Sequence, residues 1–393
     1  MRLLIVSHTP HYLRGGKPVG WGATVREIDH LSRLFKSVCH IAPVHDEPPP
    51  ESAIPYESPS VRLRVVAPAG GRNLRQKFSI LPQLPAYARA IREELQRADV
   101  VHVRCPANIA LWALAVLRVE DWRGPLWIKY AGSWKAYGKE PWSYKIQRTW
   151  LRHGWRGAVV TVNGRWESQP AHVRSFYNPC LTAEEIAEAK RLTSQKRLSL
   201  PVRLLFVGRL DQDKGAPQFL EIVRTLLANH VAVEADVVGD GPDRDLFETR
   251  SREDGFAQPI RLHGWLPRTA INRLYADAHF IVLPSRAEGW PKVLSEAMAH
   301  GTVPLASRAG SIPQYLSDFG AGQSLAEQKD YVDTIVEYLS KPEQWQVESN
   351  NAMKAAEWFS YEAYLDALRA NLMPTASRID GAVPVAMAVD AEQ

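Results

Sequence analysis

The chain has 393 residues, which is long for a single hydrophobic core, so two domains are expected. Its composition, 45% hydrophobic and 23% charged, is typical of a soluble globular protein, and its longest apolar run (109–117) is about half of what a bilayer crossing needs. The first ten residues are too weakly apolar for a signal-peptide core, and three widely spaced cysteines indicate neither a disulfide framework nor a zinc site, so the cytoplasm is the expected location.

The formal net charge of +5 conceals two halves of opposite sign. Residues 1–180 hold 26 Lys and Arg against 13 Asp and Glu, whereas the remainder holds 22 against 30. This asymmetry predicts two domains with different tasks, the first of which faces something anionic. No nucleic-acid-binding signature occurs, so a phosphorylated ligand or a membrane surface is the favoured partner and nucleic acid is not expected.

Apolar segments of strand length alternate with amphipathic segments of helix length along the chain. This pattern predicts an α/β protein with two doubly wound Rossmann-like domains that face a cleft. Strands are predicted at 2–7, 61–67, 100–104, 126–131, 158–162, 202–208, 231–239, 260–264, 279–285 and 302–307. The predicted boundaries are 1–177 for the first domain, 178–201 for a polar linker, 202–356 for the second domain, 357–372 for a C-terminal helix and 373–393 for a disordered tail.

The segment 133–157 combines basic and aromatic residues on one predicted helix, which Pro141 begins and Gly154 ends. Trp142, Ile146 and Trp150 form an apolar stripe, and Lys145, Arg148 and Arg152 form a second stripe beside it. Such a helix suits an anionic membrane interface, where each cation adds about 1 kcal/mol. The alternative is that the tryptophans pack into the first domain while the cations are solvated.

The second half opens with "LLFVGRLDQDKG", a buried strand followed by a polar loop and a helix. The N–H groups and dipole at a helix N-terminus favour anions, and Arg209 and Lys214 bracket this loop. The two cations can therefore hold a phosphate, although solvated surface cations would give the same pattern. Asp211 and Asp213 match the D-x-D of metal-dependent sugar transferases, but two flanking cations would compete with a metal, so Asp213 is interpreted as a helix cap.

The next strand ends in "VVGDGPDRD", which nearly matches the dinucleotide fingerprint. Gly239 and Gly241 are in place, but Arg244 occupies the position of the third glycine, so a dehydrogenase is disfavoured. Further on, "EGWPKVLSEAMAHG" places Glu288 in a loop at the end of a strand and Glu296 in the helix that follows.

These motifs, together with "HGWLP" and "AGSIPQYL", resemble in order and spacing the retaining glycosyltransferases of the GT-B fold, especially family 4. The resemblance implies transfer of a sugar from a nucleotide-diphosphate sugar to a glycan or lipid-linked acceptor, as in the assembly of cell-surface polysaccharide or glycolipid. It implies no metal and no other cofactor. In this interpretation the first domain binds the acceptor and the second binds the donor. The protein is expected in the cytoplasm, with a peripheral position on the inner face of the membrane.

The resemblance also assigns individual residues. Arg209 and Lys214 hold the donor diphosphate, Glu288 touches the transferred sugar, and Glu296 binds the ribose. Backbone amides near the sugar and phosphate come from Gly289, Trp290, Lys292 and Val293, and turns at Gly241 and at Trp265 and Leu266 line the base.

The first half carries fewer assignments. By resemblance, Gly20 and Gly22 lie beneath the diphosphate in a long loop after the first strand. His102 fits a family pattern at a strand end, although a structural histidine is the alternative, and Tyr130 stands where many relatives carry a histidine near the sugar. A nucleotide-sugar 2-epimerase and a non-catalytic nucleotide-sugar-binding protein share the fold and are the alternative functions.

Overall fold

The chain folds into two parallel sheets, each flanked by helices, in a computed structural model that describes residues 1–69, 79–136, 140–154, 157–252 and 260–372. The strands are β1 Arg2–Val6, β2 His11–Arg14, β3 Lys17–Trp21, β4 Ser37–Pro43, β5 Ala53–Ile54, β6 Val61–Val66, β7 Val100–Cys105, β8 Leu126–Tyr130, β9 Ala158–Val162, β10 Val173–Ser175, β11 Val202–Val207, β12 Val233–Val238, β13 Ile260–Gly264, β14 Phe280–Leu283, β15 Val303–Ser307 and β16 Gln323–Leu325. The predicted tail 373–393 lies outside the described residues.

Helices connect most of these strands and cover both faces of each sheet. The α-helices of the described residues are α1 Gly22–Ser32, α2 Leu84–Leu95, α3 Asn108–Val119, α4 Trp142–Arg152, α5 Ala183–Leu192, α6 Ala216–Ala228, α7 Arg244–Arg252, α8 Arg268–Asp277, α9 Lys292–Ala299, α10 Ile312–Phe319, α11 Gln328–Ser340, α12 Pro342–Ala355 and α13 Tyr361–Leu372. None of them is long and apolar enough to cross a membrane.

In both parallel sheets, the order in which the chain adds strands reverses at the first strand of the sheet. The seven-stranded sheet has the order β10-β9-β8-β7-β1-β4-β6, and the six-stranded sheet has the order β13-β12-β11-β14-β15-β16. The chain therefore leaves β1 and β11 towards one edge of the sheet and later returns to build the other edge. Open α/β sheets bind ligands at such switch points, outside the carboxyl ends of the strands. The positions of interest are thus the β1/β7 and β11/β14 crevices.

Each predicted strand overlaps an observed strand, but β4 and the shorter strands β2, β3, β5, β10 and β16 were not predicted. The longest of these is β4. Its sequence, SVCHIAP, mixes polar residues into a short apolar run, and His40 lies in its middle. That imidazole is fully buried because Ser7 and Tyr56 bond its two nitrogens at 2.7 and 2.6 Å. A polar side chain whose partners are distant in sequence hides a buried strand from any local pattern.

The segment predicted as a long loop after β1 is instead a small antiparallel sheet of β2, β3 and β5. A chain of hydrogen bonds through Tyr56 fixes it to β4. His11 Nδ1 donates to the Thr9 carbonyl at 2.9 Å, so its Nε2 accepts from the Tyr56 hydroxyl, also at 2.9 Å. Because the Tyr56 hydroxyl has only one proton, which it donates to His11, its oxygen accepts the hydrogen bond from His40 Nδ1. Both imidazoles are neutral in this arrangement, and burial lowers the pKa of His11 to about 4.

The segment between the sheets and the C-terminal helix both tie the domains together. The predicted polar linker contains α5, whose start is closed by a capping box of Thr182 and Glu185. Helix α13 returns to the first domain, where Tyr364, Leu365 and Leu368 join the buried cluster under β1. The polar composition of 178–201 therefore reflects an amphipathic helix and not only an extended connection.

Candidate active site

The carboxyl ends of β11 and β14 bring together the two charged residues that the sequence placed 74 positions apart. Lys214 Nζ lies 2.6 Å from Glu288 Oε1, and the Glu288 side chain is only 9% exposed while that of Lys214 is 34% exposed. These strands are neighbours at the switch point of the second sheet. The ion pair therefore occupies the crevice where this class of sheet binds ligands.

Arg209 begins the same loop, with half of its side chain exposed, and pairs with Asp211. The other Asp211 oxygen accepts the Lys214 N–H at 2.8 Å and closes the loop. Asp213 is exposed and has no capping bond to α6, whose N-cap is Gly215, so its interpretation as a helix cap is wrong. Asp211 therefore stabilises the turn, because its side chain accepts the backbone N–H of the residue three positions further along the chain.

Glycines are required at this edge because neighbouring loops touch through their backbones. A Cβ on Gly241 would lie 2.4 Å from the Leu210 carbonyl oxygen, and one on Gly239 would lie 1.9 Å from that of Gly208. Gly215 has φ +80° and packs against the Pro284 carbonyl. The "GDG" turn thus supports the Arg209 loop directly, a packing role that leaves its predicted contact with a base untested.

Glu296 lies on α9, one turn beyond Lys292, and its two carboxylate oxygens contact Tyr275 and Arg268. The Tyr275 hydroxyl donates to one oxygen at 3.0 Å, and Arg268 Nη1 lies 3.6 Å from the other. Arg268 also pairs with Glu185 at 2.9 Å. Each carboxylate oxygen keeps a lone pair for a further donor, which is what the predicted ribose contact requires.

At the N-terminal end of α9, the side chains of Trp290 and Val293, whose backbone amides are predicted to contact the donor, pack against the second domain. Trp290 is buried, donates to Ser295 at 2.7 Å and stacks on Phe359, so only its backbone can face a ligand. A Cβ on Gly289 would lie 2.2 Å from the Ala131 carbonyl of the first domain, so the two domains meet here. Val293 is half-buried against the core of the second domain.

The predicted base-lining pair follows β13. Trp265 is 40% exposed, whereas Leu266 packs against the core. Of the two side chains, Trp265 is therefore the one that is free to stack on an aromatic ligand.

A buried carboxylate that sequence reasoning missed lies directly between the domains. Glu27 on α1 is fully buried and bonds Lys129 at 2.6 Å, Arg104 at 2.8 Å and the Tyr364 hydroxyl at 3.1 Å. Lys292 Nζ approaches it from the second domain at 3.3 Å. Burial alone would raise the pKa of Glu27, but these cations hold it well below its usual value. Burial lowers the pKa of Lys129 to about 7.

The two glycines assigned to the diphosphate have structural roles. Gly20 lies within β3, and a Cβ there would come 2.5 Å from the His11 ring. Gly22 begins α1, and its N–H donates to the Ser52 carbonyl at 3.2 Å. Close packing explains both glycines without a ligand, and their predicted place beneath the diphosphate stays a prediction.

Both acceptor-side candidates lie in the interior. His102 is fully buried in the middle of β7 and stacks on Trp127 with a centroid distance of 3.6 Å. Burial keeps its pKa well below the usual value. Tyr130 is 1% exposed, and its hydroxyl accepts from Arg148 at 3.0 Å. Both side chains are enclosed by the first domain, which favours the structural alternative for His102, and their acceptor-side roles stay predictions.

The histidine at the first switch point is His8, which follows β1 and is exposed. The signal for it was available in the sequence, because "LLIVSHTP" ends a buried strand with polar residues. Its sheet position, beside the β1/β7 crevice, corresponds to that of Arg209 and Lys214 in the second sheet.

Helix α4 exposes part of the predicted stripes and buries the rest. Trp142 is 73% exposed and Ile146 is 43% exposed, with exposed Lys145 between them. Arg148 is instead buried and forms a bidentate pair with Glu140. Trp150 packs against the core of the first domain. Arg152 is exposed as predicted, and its guanidinium lies over the Trp134 ring at 5.5 Å. The predicted stripes are therefore corrected to an exposed face of Trp142, Lys145, Ile146 and Arg152.

Comparisons with known proteins agree with this geometry. Residues 191–356 match the family model described as Glycosyl transferases group 1. D-inositol 3-phosphate glycosyltransferase of Thermobifida fusca is 27% identical over 218 residues, which cover 52% of this chain and 50% of the relative. The chain thus spans about half the length of that relative. The match does not favour the epimerase or the non-catalytic binding protein.

Two solved structures share the fold over nearly the whole chain. Sucrose-phosphate synthase from Thermosynechococcus elongatus has a TM-score of 0.69 at 17% identity and covers 95% of this chain and 99% of its own. The Anabaena protein HepE in complex with UDP-glucose has a TM-score of 0.66 at 15% identity, with 95% and 100% covered. Residues 191–356 thus match the model of the group 1 glycosyl transferases, and the two domains of the chain share the GT-B fold of these structures.

Proposed function

We propose that this protein transfers a hexose from a nucleotide-diphosphate sugar to a glycan or lipid-linked acceptor, with retention of configuration and without a metal ion. The observation that carries the proposal is the Lys214–Glu288 pair at the β11/β14 switch point, with Arg209 in the same loop. Family 4 enzymes are expected to hold a diphosphate and a sugar with residues of these types at this place.

The chemistry follows from the charges that develop when a nucleotide-sugar bond breaks. Negative charge grows on the departing diphosphate, and fixed cations stabilise it most when they are already in place. Arg209, Lys214 and the N-terminus of α6 supply such positive charge. Positive charge grows at the anomeric carbon, which a nearby carboxylate stabilises. Glu288, held by Lys214, is the carboxylate proposed for that task.

The donor is proposed to be a UDP-, GDP- or ADP-sugar. The complex of HepE with UDP-glucose supports a nucleotide sugar in this fold. A thermal-shift screen of the three nucleotide classes with several sugars identifies the donor, because a ligand at 100 times its dissociation constant stabilises the folded state by about 2.7 kcal/mol. A radiolabelled-donor assay then separates transfer from epimerisation or binding alone, and NMR of the product reports the anomeric configuration.

The acceptor is proposed to be lipid-linked, which would make the protein peripheral to an anionic membrane. The exposed face of Trp142, Lys145, Ile146 and Arg152 on α4 supports this, because an aromatic, an aliphatic and two cationic residues side by side suit a lipid interface. The net positive charge of residues 1–180 supports it as well.

Liposome flotation tests the membrane proposal. Wild type should float with anionic vesicles at low salt, and Trp142→Ser/Lys145→Glu/Ile146→Ser should not. Arg148 is left unchanged, because it is buried and its substitution would leave Glu140 without its partner. Lys36→Glu, a change of the same charge on an exposed residue, is the control. Wild type that stays at the bottom with both anionic and neutral vesicles would favour a soluble acceptor.

A further inference from the structure

A cavity of about 380 Å³ lies in the second domain, beside the donor site. It is enclosed by α6, α11 and the segments that follow β14, β15 and β16. Its size falls in the range of small-molecule sites, which begins at about 300 Å³. Arg209, Lys214, Glu288 and Glu296 do not line it.

Among the described residues, four that line this cavity have a buried side-chain oxygen without a hydrogen-bond partner. They are Gln218, Ser285, Ser307 and Tyr331. Ser285 and Tyr331 are each only 2% exposed. Buried polar groups are nearly always bonded, because an unsatisfied one costs about 1–3 kcal/mol. Four in one cavity, contributed by two helices and two strand ends, form a polar lining that is suited to a ligand with several hydroxyl groups.

The rim of the cavity is cationic. Arg286 and Arg308 both line it, and both are exposed. Among the described residues neither guanidinium forms a salt bridge, although Asp330 is an electrostatic neighbour of Arg308. Two guanidinium groups at one mouth match the bidentate geometry of a phosphate group. Ile222 and Leu325 add apolar surface inside, which suits the C–H face of a sugar ring.

We propose that this cavity is a second binding site, for a sugar phosphate, separate from the nucleotide-sugar site. The phosphate of the ligand lies between Arg286 and Arg308, and its sugar hydroxyls bond the four unpartnered groups as these side chains turn towards the cavity. The site adjoins the donor site through one segment, because Pro284, Ser285 and Arg286 lead directly to Glu288. The inference does not depend on the proposed transferase activity.

Calorimetric titration of the full chain with glucose 6-phosphate, glucose and inorganic phosphate tests the proposal. Glucose 6-phosphate should bind at least tenfold more tightly than either of its parts, since only it engages both the interior and the rim. The same titration of Lys214→Ala should give unchanged binding, which places the ligand outside the donor site. No binding of glucose 6-phosphate at millimolar concentration, or equal binding of inorganic phosphate, would overturn the proposal.

Two tyrosines of α11 provide a matched pair of variants. Tyr331 is unpartnered and lines the cavity, whereas the Tyr338 hydroxyl donates to Glu348 at 2.6 Å and lies outside it. Tyr331→Phe should weaken glucose 6-phosphate binding by about two- to tenfold, the range for one hydrogen bond, without lowering the Tm. Tyr338→Phe should lower the Tm and leave binding unchanged. If Tyr331→Phe instead lowers the Tm and binds the probe as wild type does, the cavity is a hydrated part of the core and the proposal fails.

Discussion

Removal of the charge of Glu27 should destabilise the protein more than the loss of any exposed acid. The Glu27→Gln variant keeps the shape of the side chain but leaves Arg104 and Lys129 buried without a counter-charge. Their side chains are only 12% and 7% exposed, so water cannot replace the carboxylate. Desolvation and attraction nearly cancel in an intact buried pair, whereas the broken pair keeps only the cost, about 3–5 kcal/mol.

The assay is urea unfolding at about pH 7.5, followed by circular dichroism; at this pH Arg104 is charged and Lys129, with its pKa lowered to about 7, is partly charged. The expected loss is a large share of the 5–15 kcal/mol that typically stabilises a folded domain. Glu93→Gln is the control, because its pair with Arg64 is equally short, at 2.8 Å, but exposed on both sides, and such pairs contribute about 0–1 kcal/mol. Adding Lys129→Met to Glu27→Gln should recover part of the loss, since one uncompensated cation is then removed.

Equal urea midpoints for the Glu27→Gln and Glu93→Gln variants would refute this reasoning. That result would mean that Arg104 and Lys129 find other partners, or that Lys129 loses its proton at little cost. The lowered pKa of Lys129, about 7, makes the second explanation testable, because the two midpoints would then diverge below pH 7.

Three further predictions concern the site and its scaffold. Glu288→Gln should lower kcat with little change in nucleotide affinity, whereas Glu296→Gln should weaken binding of the free nucleoside diphosphate; calorimetry that shows weaker binding only for Glu288→Gln would reverse the two roles. Transfer should persist in EDTA, because Arg209 and Lys214 supply the positive charge, and rescue of a lost activity by magnesium or manganese would contradict this. His11 is neutral when folded, with its pKa lowered from 6.5 to about 4, so the unfolded chain takes up its proton first as the pH falls below 6.5. Acidification from about pH 7.5 to about 5 should therefore cost about 2 kcal/mol through this residue, and urea unfolding of His11→Gln should show a loss smaller by that amount.

The sequence predicted the fold and the meeting of Lys214 with Glu288 because both depend on local patterns. Period-two and continuous apolar runs placed strands such as β11 and β14 in their observed positions, since a strand buried on both faces must be apolar along its length. Parallel topology then brings strand ends to one edge, so Lys214 and Glu288 meet although 74 residues separate them.

The tertiary structure alone decided which polar residues are buried and with what partners. Tyr130, Arg148 and Glu27 look like surface or site residues in the sequence, yet each is satisfied by side chains from distant elements. The cost of burying a polar group depends on those partners and not on its neighbours along the chain. For the same reason no local pattern showed the cavity of Ser285 and Tyr331, where four separate elements bring together polar groups that have no partner in the described part of the chain.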